Sequence, residues 1–340
     1  MTVDTNRQWI LADRPDGKPE TSDFELVEAE VSDLGPREVL VRTRYMSVDP
    51  YMRGRMRDRA SYADPWSVGE PMRAGVVGDV VESNHPDFEA GDVVQGRLRW
   101  AEYAVADGEN LRRVDPDLAP VSTSLGVLGM PGRTAYFGML DVAEPRPGDT
   151  VLVSGAAGAV GSVAGQLARL AGARVVGIAG TDEKTAWLTD ELGFDDAINY
   201  RTAEDLRDAV GEACPRGVDA YFDNVGGEIT DAAFAHLNVR ARVAVCGQIA
   251  LYNEEGVPTG PRKLGRLIET RARVEGFLVG DFSGRFEEAT RRLARWVNAD
   301  EIRYRETVTE GIENAPEAFI GLFEGTNIGK QLVKVNDSVE

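Results

Sequence analysis

The stretch TVLVSGAAGAVG, residues 150–161, decides the fold of this chain. Its first five residues form a short apolar run of the kind found in buried strands. Apolar residues then recur on one face at helical spacing, namely Val160, Val163, Ala164, Leu167, Ala168 and Ala171. A strand, a glycine loop and a helix in this order predict the first unit of a parallel α/β sheet.

The glycine loop in this stretch has the composition of a phosphate site. Gly158 would let the backbone approach a pyrophosphate, and Gly161 would let the helix pack closely on the strand. The anion would lie at the helix N-terminus, beside Ala159 and Val160. Ala156 occupies the usual first glycine position. The alternative is a tight strand-to-helix turn without a ligand, but the flanking strand and helix favour a dinucleotide site.

The end of the second strand indicates which dinucleotide binds. In NAD sites an acidic residue at this place bonds the ribose 2′-hydroxyl. The residue here is Gly180, so no carboxylate would repel a 2′-phosphate. Thr181, Lys184, Tyr200 and Arg201 follow closely enough to supply donors and positive charge. A solvated helix residue is the alternative for Lys184, but the pattern as a whole predicts NADPH.

The sequence before this unit and the sequence around and after it show two different patterns of apolar residues. Residues 24–105 contain short strands with turn signals, which predict a compact β-rich domain. After Leu125, apolar runs alternate with helical segments, which predicts a parallel sheet with helices on both faces. The runs are residues 150–154, 174–179, 197–199, 218–222, 241–246 and 274–279, and the helical segments lie near 159–171, 182–192, 203–213, 228–236 and 261–271. Residues 304–335, with a strand, a helix and a final strand, are expected to return to the first domain.

Composition excludes several classes of function. The formal net charge of -19 disfavours binding to nucleic acid or to an anionic membrane. No run of 18 apolar residues occurs, so a membrane span is not expected. The polar start, residues 1–9, lacks an apolar signal core, which predicts the cytoplasm. Cys214 and Cys246 cannot build a disulfide framework and are predicted to be inert thiols.

The chemistry expected of this composition is free of metal. Two cysteines and two histidines, His85 and His236, show no pair at ligand spacing, and both histidines are interpreted as surface or structural residues. Hydride transfer from a nicotinamide to a conjugated carbon remains, and it needs a group that stabilises oxyanion charge. A tyrosine hydroxyl suits that task, and the candidates are Tyr51, Tyr62 and Tyr252. For each of them the alternative is simple packing with a solvated hydroxyl.

Six ordered motifs span nearly the whole chain. They are SVDPYMRGRM (47–56), GVLGMPGRTAY (126–136), AGAVG (157–161), DNVGG (223–227), CGQIALYN (246–253) and NIGK (327–330). Together they resemble the zinc-independent medium-chain dehydrogenases/reductases, above all the bacterial NADPH-dependent curcumin reductases and the prostaglandin and leukotriene (2-alkenal) reductases. Asp49 stands where zinc relatives have a metal-binding cysteine, and Arg133 departs from the apolar residue usual in its motif.

The resemblance implies a fold and an assembly. The fold is a doubly wound parallel six-stranded Rossmann sheet, residues 126–303, inserted in a β-rich, GroES-like catalytic domain formed by residues 1–125 and 304–340. The assembly is a homodimer through the nucleotide-binding domain. The implied activity is NADPH-dependent reduction of the carbon–carbon double bond of α,β-unsaturated ketones and aldehydes, such as enals, enones and curcumin-like molecules.

The resemblance also implies site residues, carried over motif by motif. Cofactor contacts are expected from Met130, Thr134, Gly158, Ala159, Val160, Gly161, Lys184, Tyr200, Asn224, Cys246, Gly247, Ile249, Tyr252, Phe277, Leu278, Val279 and Asn327. Tyr252 matches the tyrosine proposed to bond the carbonyl oxygen as the enolate forms. Tyr51 and Tyr62 would contact the substrate.

Two other functions stay open at this point. A quinone reductase uses a metal-free fold of the same kind, and the turnover of a quinone against a linear enone separates the two activities. A catalytically idle protein that binds NADPH for a structural or regulatory purpose would show no turnover at all.

Overall fold

The structure, a computed structural model, describes residues 5–59 and 61–337. The ends of the predicted domains, residues 1–4 and 338–340, lie outside the described residues. The chain divides into two compact units. The β-rich unit comprises Met1–Leu125, Glu306–Thr326 and Gln331–Glu340, and the α/β unit comprises Gly126–Arg305 and Asn327–Lys330.

The strands follow one another along the chain as follows. They are β1 (Asn6–Leu11), β2 (Phe24–Ala29), β3 (Glu38–Ser47), β4 (Arg73–Ser83), β5 (Val93–Arg99), β6 (Tyr103–Asp107), β7 (Arg112–Arg113), β8 (Thr150–Ser154), β9 (Arg174–Ala179), β10 (Asp196–Asn199), β11 (Val218–Asp223), β12 (Leu237–Val245), β13 (Arg273–Gly276), β14 (Glu306–Glu310) and β15 (Lys330–Lys334).

The α-helices are fewer and lie mostly in the α/β unit. They are α1 (Met52–Arg55), α2 (Met130–Phe137), α3 (Gly161–Leu170), α4 (Asp182–Ala186), α5 (Leu206–Ala213), α6 (Gly227–Ala235), α7 (Leu264–Thr270), α8 (Phe286–Asn298) and α9 (Ala315–Glu324). None of the helices in the described part of the chain is long and apolar enough to cross a membrane.

In the β-rich unit, strands from both chain regions share one sheet. The sheet runs β14-β15-β3-β4-β5-β7, with β6 paired to β3, while β1 and β2 form a separate antiparallel pair. The final strand β15 pairs with β3, so Leu332 lies opposite Ser47. Trp9, Phe24, Trp100 and Phe319 pack in the core, where the Phe24 and Trp100 rings stack with centroids 6.4 Å apart.

In the α/β unit, six parallel strands run in the order β10-β9-β8-β11-β12-β13. Strand order moves outward from β8 in one direction and then from β11 in the other, which is the doubly wound topology. The predicted parallel six-stranded sheet is confirmed, and a separate β-rich sheet accompanies it. Leu152, Val176, Ile178 and Tyr221 form part of the core of the α/β unit.

Two helices of this unit, α2 and α8, were absent from the sequence predictions. The buried side chain of Arg133 joins them. Its Nε donates to Thr290 Oγ1 at 2.9 Å, and its guanidinium carbon lies 5.0 Å from the centroid of the Phe286 ring. Arg133, the departure from the usual motif, therefore packs between helices.

Candidate cofactor site

The glycine loop follows β8 and precedes α3, as the sequence predicted. Gly155 adopts a φ of +57°, a conformation that favours glycine. A Cβ on Gly161 would lie 2.3 Å from the Gly155 carbonyl oxygen, so this position excludes any side chain. A Cβ on Gly158 would meet only that same oxygen, at 3.2 Å. The loop therefore has no room for a side chain at Gly161 and more free space at Gly158.

Two further segments of the α/β unit meet this loop. Asn224, the first residue after β11, donates from Nδ2 to the Ser154 carbonyl at 2.7 Å and from its backbone N–H to Ser154 Oγ at 2.9 Å. The Gly329 N–H donates to the Ala157 carbonyl at 2.8 Å, and Asn327 Nδ2 donates to the Gly329 carbonyl. The structure thus brings the segments of Asn224 and Asn327 to the glycine loop.

The predicted 2′-phosphate residues lie together after β9 and β10. A Cβ on Gly180 would lie 2.9 Å from the Tyr200 ring, so glycine here makes room for that ring. The Arg201 guanidinium lies over the same ring, 5.8 Å from its centroid. Thr181 caps α4 by accepting the Lys184 N–H at 3.3 Å. Burial and the nearby charge of Arg201 lower the pKa of Lys184.

A cleft of about 430 Å³ opens at the carboxyl ends of β12 and β13. Its lining comprises Val245, Cys246, Gly247, Gln248, Tyr252, Gly276, Phe277, Leu278 and Asp281. Ligands of doubly wound sheets bind outside the carboxyl ends of the strands. The cleft brings together five predicted residues, Cys246, Gly247, Tyr252, Phe277 and Leu278. Sequence reasoning missed Asp281, for which the chain gives no local signal.

The other residues predicted for this region stay predictions. The residues that line the cleft in the described chain do not include Met130, Thr134, Ile249 or Val279. Thr134 Oγ1 donates to the Met130 carbonyl at 2.8 Å, so this hydroxyl forms a hydrogen bond within α2.

Tyr252 presents its hydroxyl to the wall of the cleft. Its oxygen accepts the backbone N–H of Gln248 at 3.3 Å. A Cβ on Gly247 would lie 3.2 Å from that oxygen, so Gly247 permits the close approach. Because an accepted hydrogen bond polarises a hydroxyl, Tyr252 becomes a stronger donor in turn.

Tyr51 and Tyr62 belong to the β-rich unit. Burial, together with the charge of Asp49, raises the pKa of Tyr51 to about 12, so its hydroxyl keeps its proton at neutral pH. The Arg55 guanidinium lies 5.8 Å from the centroid of the Tyr51 ring. The Tyr62 side chain is exposed. A contact of either tyrosine with substrate remains a prediction.

In the part of the chain that the structure describes, cysteines, histidines and carboxylates do not converge on a metal site. Within residues 5–59 and 61–337, no group of three or more His, Cys, Asp or Glu could hold an ion. His85 Nδ1 accepts the Asp87 N–H at 3.2 Å, and His236 Nε2 lies 2.7 Å from the Arg207 carbonyl oxygen. The residues present therefore do not fit a catalytic zinc ion.

Comparison with known proteins agrees with this fold. Two family models match, one described as the N-terminal domain of oxidoreductase over residues 7–114 and one as zinc-binding dehydrogenase over residues 159–295. A putative NADP-dependent oxidoreductase of Bacillus subtilis, YfmJ, is 52% identical over 98% of both chains. The NADPH-dependent curcumin reductase of Escherichia coli is 45% identical over 97% of both.

A solved structure is similar over the same length. CurA from Vibrio vulnificus in complex with NADPH superposes with a TM-score of 0.93 at 42% identity, covering 97% of this chain and 99% of that one. The fold and these relatives define an oxidoreductase with a nucleotide-binding sheet. The chain belongs to the medium-chain dehydrogenase/reductase family, among its NADP-dependent oxidoreductases.

Proposed function

We propose that this protein is an NADPH-dependent reductase of the carbon–carbon double bond of α,β-unsaturated ketones and aldehydes. The observation that carries the proposal is the cleft at the ends of β12 and β13, with the Tyr252 hydroxyl in its wall. The named activity of the curcumin reductase relative supports it, since curcumin is a conjugated diketone.

The residues present fit NADPH. The open loop position at Gly158 gives a pyrophosphate access to backbone N–H groups. The cationic corner of Lys184 and Arg201 suits a 2′-phosphate, which carries charge that NADH lacks. When bound, NADPH supplies the hydride that reaches the β-carbon of the substrate.

Tyr252 would hold the carbonyl oxygen of the substrate. Negative charge grows on that oxygen as the enolate forms, so a hydrogen bond from the hydroxyl becomes stronger in the transition state than in the ground state. The Gln248 N–H supports the hydroxyl from behind. The α-carbon then takes a proton from water or through the Tyr252 hydroxyl.

Steady-state turnover of NADPH with a panel of enals, enones and curcumin tests the proposal. Removing one oxyanion donor typically lowers kcat by about 100-fold or more, and we expect that loss in Tyr252→Phe. Tyr45→Phe, at a partly buried tyrosine of β3, is the matched control and should keep full activity. A wild-type protein that reduces quinones but no enone would instead be a quinone reductase, and one that binds NADPH without any turnover would be a structural or regulatory protein.

The homodimer expected through the nucleotide-binding domain is also a proposal, and the edge of the sheet supports it. In the described part of the chain β13 pairs only with β12, and all of its residues are exposed. Leu264 and Ile268 of the neighbouring α7 are 77% and 81% exposed. If two copies pair antiparallel about Val274, Arg273 of each lies opposite Glu275 of the other, an attractive cross-strand pair.

A cytoplasmic location also stays a prediction.

A further inference from the structure

Asp223, the last residue of β11, has an unusual environment for a carboxylate. Its side chain is fully buried. Its Oδ1 accepts hydrogen bonds from Ser154 Oγ, Tyr221 Oη and the backbone N–H groups of Val225 and Gly226, at 2.9–3.0 Å. Its Oδ2 accepts Thr230 Oγ1 at 2.7 Å. Five neutral donors therefore hold one buried charge, an arrangement that offsets the cost of removing the carboxylate from water.

Two of the five bonds fix the turn that follows β11. Gly226 and Gly227 adopt φ values of +73° and +58°, which other residues rarely take, so this turn requires glycine at both positions. The carboxylate fastens the turn by accepting the N–H groups of Val225 and Gly226. Two bonds from Asn224 to Ser154 hold its start.

The turn of residues 224–227 supports the segment of residues 247–252, which carries Tyr252. The Ile249 N–H donates to the Asn224 carbonyl at 3.3 Å, and the Ala250 N–H donates to the Val225 carbonyl at 3.0 Å. The Tyr252 N–H then donates to the Ile249 carbonyl at 3.3 Å. A continuous series of hydrogen bonds therefore leads from the Asp223 carboxylate to Tyr252.

The wall of the cleft also depends on the same residue. The backbone N–H groups of Cys246 and Gly247 both donate to the Asp223 carbonyl, at 2.8 and 3.0 Å. Burial, with the charge of Asp223, raises the pKa of the Cys246 thiol to about 12, so the carboxylate acts on this wall electrostatically as well.

We propose that Asp223 is a positioning residue, which holds the Tyr252 hydroxyl in the cleft through the turn of residues 224–227. This inference rests on the proposed function, because it assigns Tyr252 a role in the reaction. In the described part of the chain Asp223 is not among the residues that line the cleft, so it would act through Tyr252. Its carboxylate supplies acceptors for two turn N–H groups at once, which an apolar side chain cannot do.

The experiment compares Asp223→Asn and Asp223→Ala with Thr230→Val. The asparagine keeps one acceptor oxygen and the alanine keeps none. Thr230→Val removes the bonds of the Thr230 hydroxyl to Oδ2 and to the Tyr221 hydroxyl but leaves the turn bonds in place. Hydrogen exchange of the amides of residues 247–252, measured without substrate, reports the order of the segment. We expect faster exchange by about tenfold in Asp223→Ala and less in Asp223→Asn, with Thr230→Val like the wild type.

A double-mutant cycle with Tyr252→Phe completes the test. A displaced catalytic group costs up to about 100-fold in rate. We therefore expect Asp223→Asn to lower kcat at least tenfold when Tyr252 is present and to have almost no further effect in the Tyr252→Phe background. If Asp223→Ala does not fold, Asp223→Asn carries both measurements.

Two results would overturn the inference. One is exchange in residues 247–252 that neither Asp223 variant raises above the Thr230→Val level. The other is a fall in kcat that is equally large with and without the Tyr252 hydroxyl, which would show a general structural effect. If Tyr252→Phe alone left turnover unchanged, the proposed function of Tyr252 would fail, while the exchange result would still decide whether Asp223 orders the segment.

Discussion

Gly180 and Lys184 illustrate how single residues would choose between two nearly identical cofactors. Gly180 removes a carboxylate and at the same time makes room for the Tyr200 ring, against which a Cβ would collide. Lys184 adds positive charge a few residues later, beside Arg201. The absence of a carboxylate at position 180 and the positive charge of Lys184 would both favour NADPH over NADH, because NADPH carries an additional phosphate.

Lys184→Ala tests this choice. A hydrogen bond between charged groups contributes about 1.5–3 kcal/mol, so KM for NADPH should rise roughly 10- to 100-fold. KM for NADH should change little, because NADH has no 2′-phosphate. Both constants are measured by steady-state kinetics, with Lys263→Ala at the start of α7 as the control. Equal effects on the two cofactors would refute the assignment.

Cys246 carries a thiol in the lining of the cleft, where it would face the proposed electrophilic substrates. Thiolates add to conjugated carbonyl compounds, whereas thiols do so slowly. Burial and Asp223 raise the pKa of Cys246 to about 12, which keeps the group protonated at neutral pH. The cleft can thus contain a thiol and still handle such substrates.

The pH dependence of alkylation tests this protection. In a Cys214→Ala background, the rate of Cys246 modification by iodoacetamide should rise about tenfold per pH unit from about pH 8 to pH 10, because only the thiolate reacts. The pKa of about 12 places the plateau above that range. A rate that levels off near pH 9 would show an ordinary thiol.

The elements of the α/β unit differ in how far the sequence determines them. The spans of β8 and β9 match the predicted ranges, because apolar runs bounded by turn residues need no distant partner to be seen. The helix α2 was not predicted, since Pro131 and Gly132 weaken its local helix signal. Its position depends on packing, for a Cβ on Gly132 would lie 1.8 Å from the Val127 carbonyl oxygen.

Some contacts at the site join residues that are far apart in the sequence, so the sequence alone could not predict them. The return of Asn327 and Gly329 to the glycine loop joins residues far apart in sequence, and only the motif resemblance pointed to Asn327. Asp223 belongs to the DNVGG motif and four of its donors lie within seven residues of it, but the fifth, Ser154, is 69 residues away in the sequence. The spacing of residues along the sequence does not predict a long-range contact of this kind.

Two glycine variants separate the structural and binding roles of the β8–α3 loop. Gly161→Ala forces a Cβ to 2.3 Å from a backbone oxygen, and overpacking of this kind costs about 1–3 kcal/mol. The melting temperature should therefore fall by several degrees. Gly158→Ala meets only one atom, at 3.2 Å, so it should melt closer to the wild type while its KM for NADPH rises. A Gly158→Ala protein with unchanged KM would contradict a phosphate site at this loop.

For the whole molecule, the proposed dimer makes the exposed edge of the sheet functional. Unpaired edge strands are liable to pair with other chains, and a two-fold axis closes such pairing at two copies. The pairing about Val274 would also cover the apolar residues of α7, Leu264 and Ile268.

Light scattering on Val274→Glu tests this assembly. The wild type should give twice the chain mass of 36.9 kDa, and the variant, with two carboxylates opposed at the axis, should give one chain mass. Val308→Glu, at a similarly exposed valine of β14, should remain dimeric. A monomeric wild type, or a dimer that survives Val274→Glu, would count against this interface.

The product made from cinnamaldehyde and NADPH shows whether the protein reduces a conjugated carbon–carbon double bond. Reduction of the double bond gives hydrocinnamaldehyde, whereas reduction of the carbonyl gives cinnamyl alcohol. Nuclear magnetic resonance, which distinguishes these two isomers, should find the saturated aldehyde, in equal amount to the NADPH consumed and much less of it with Tyr252→Phe. Cinnamyl alcohol as the product, or no NADPH consumption with this or any other enal or enone, would contradict the account.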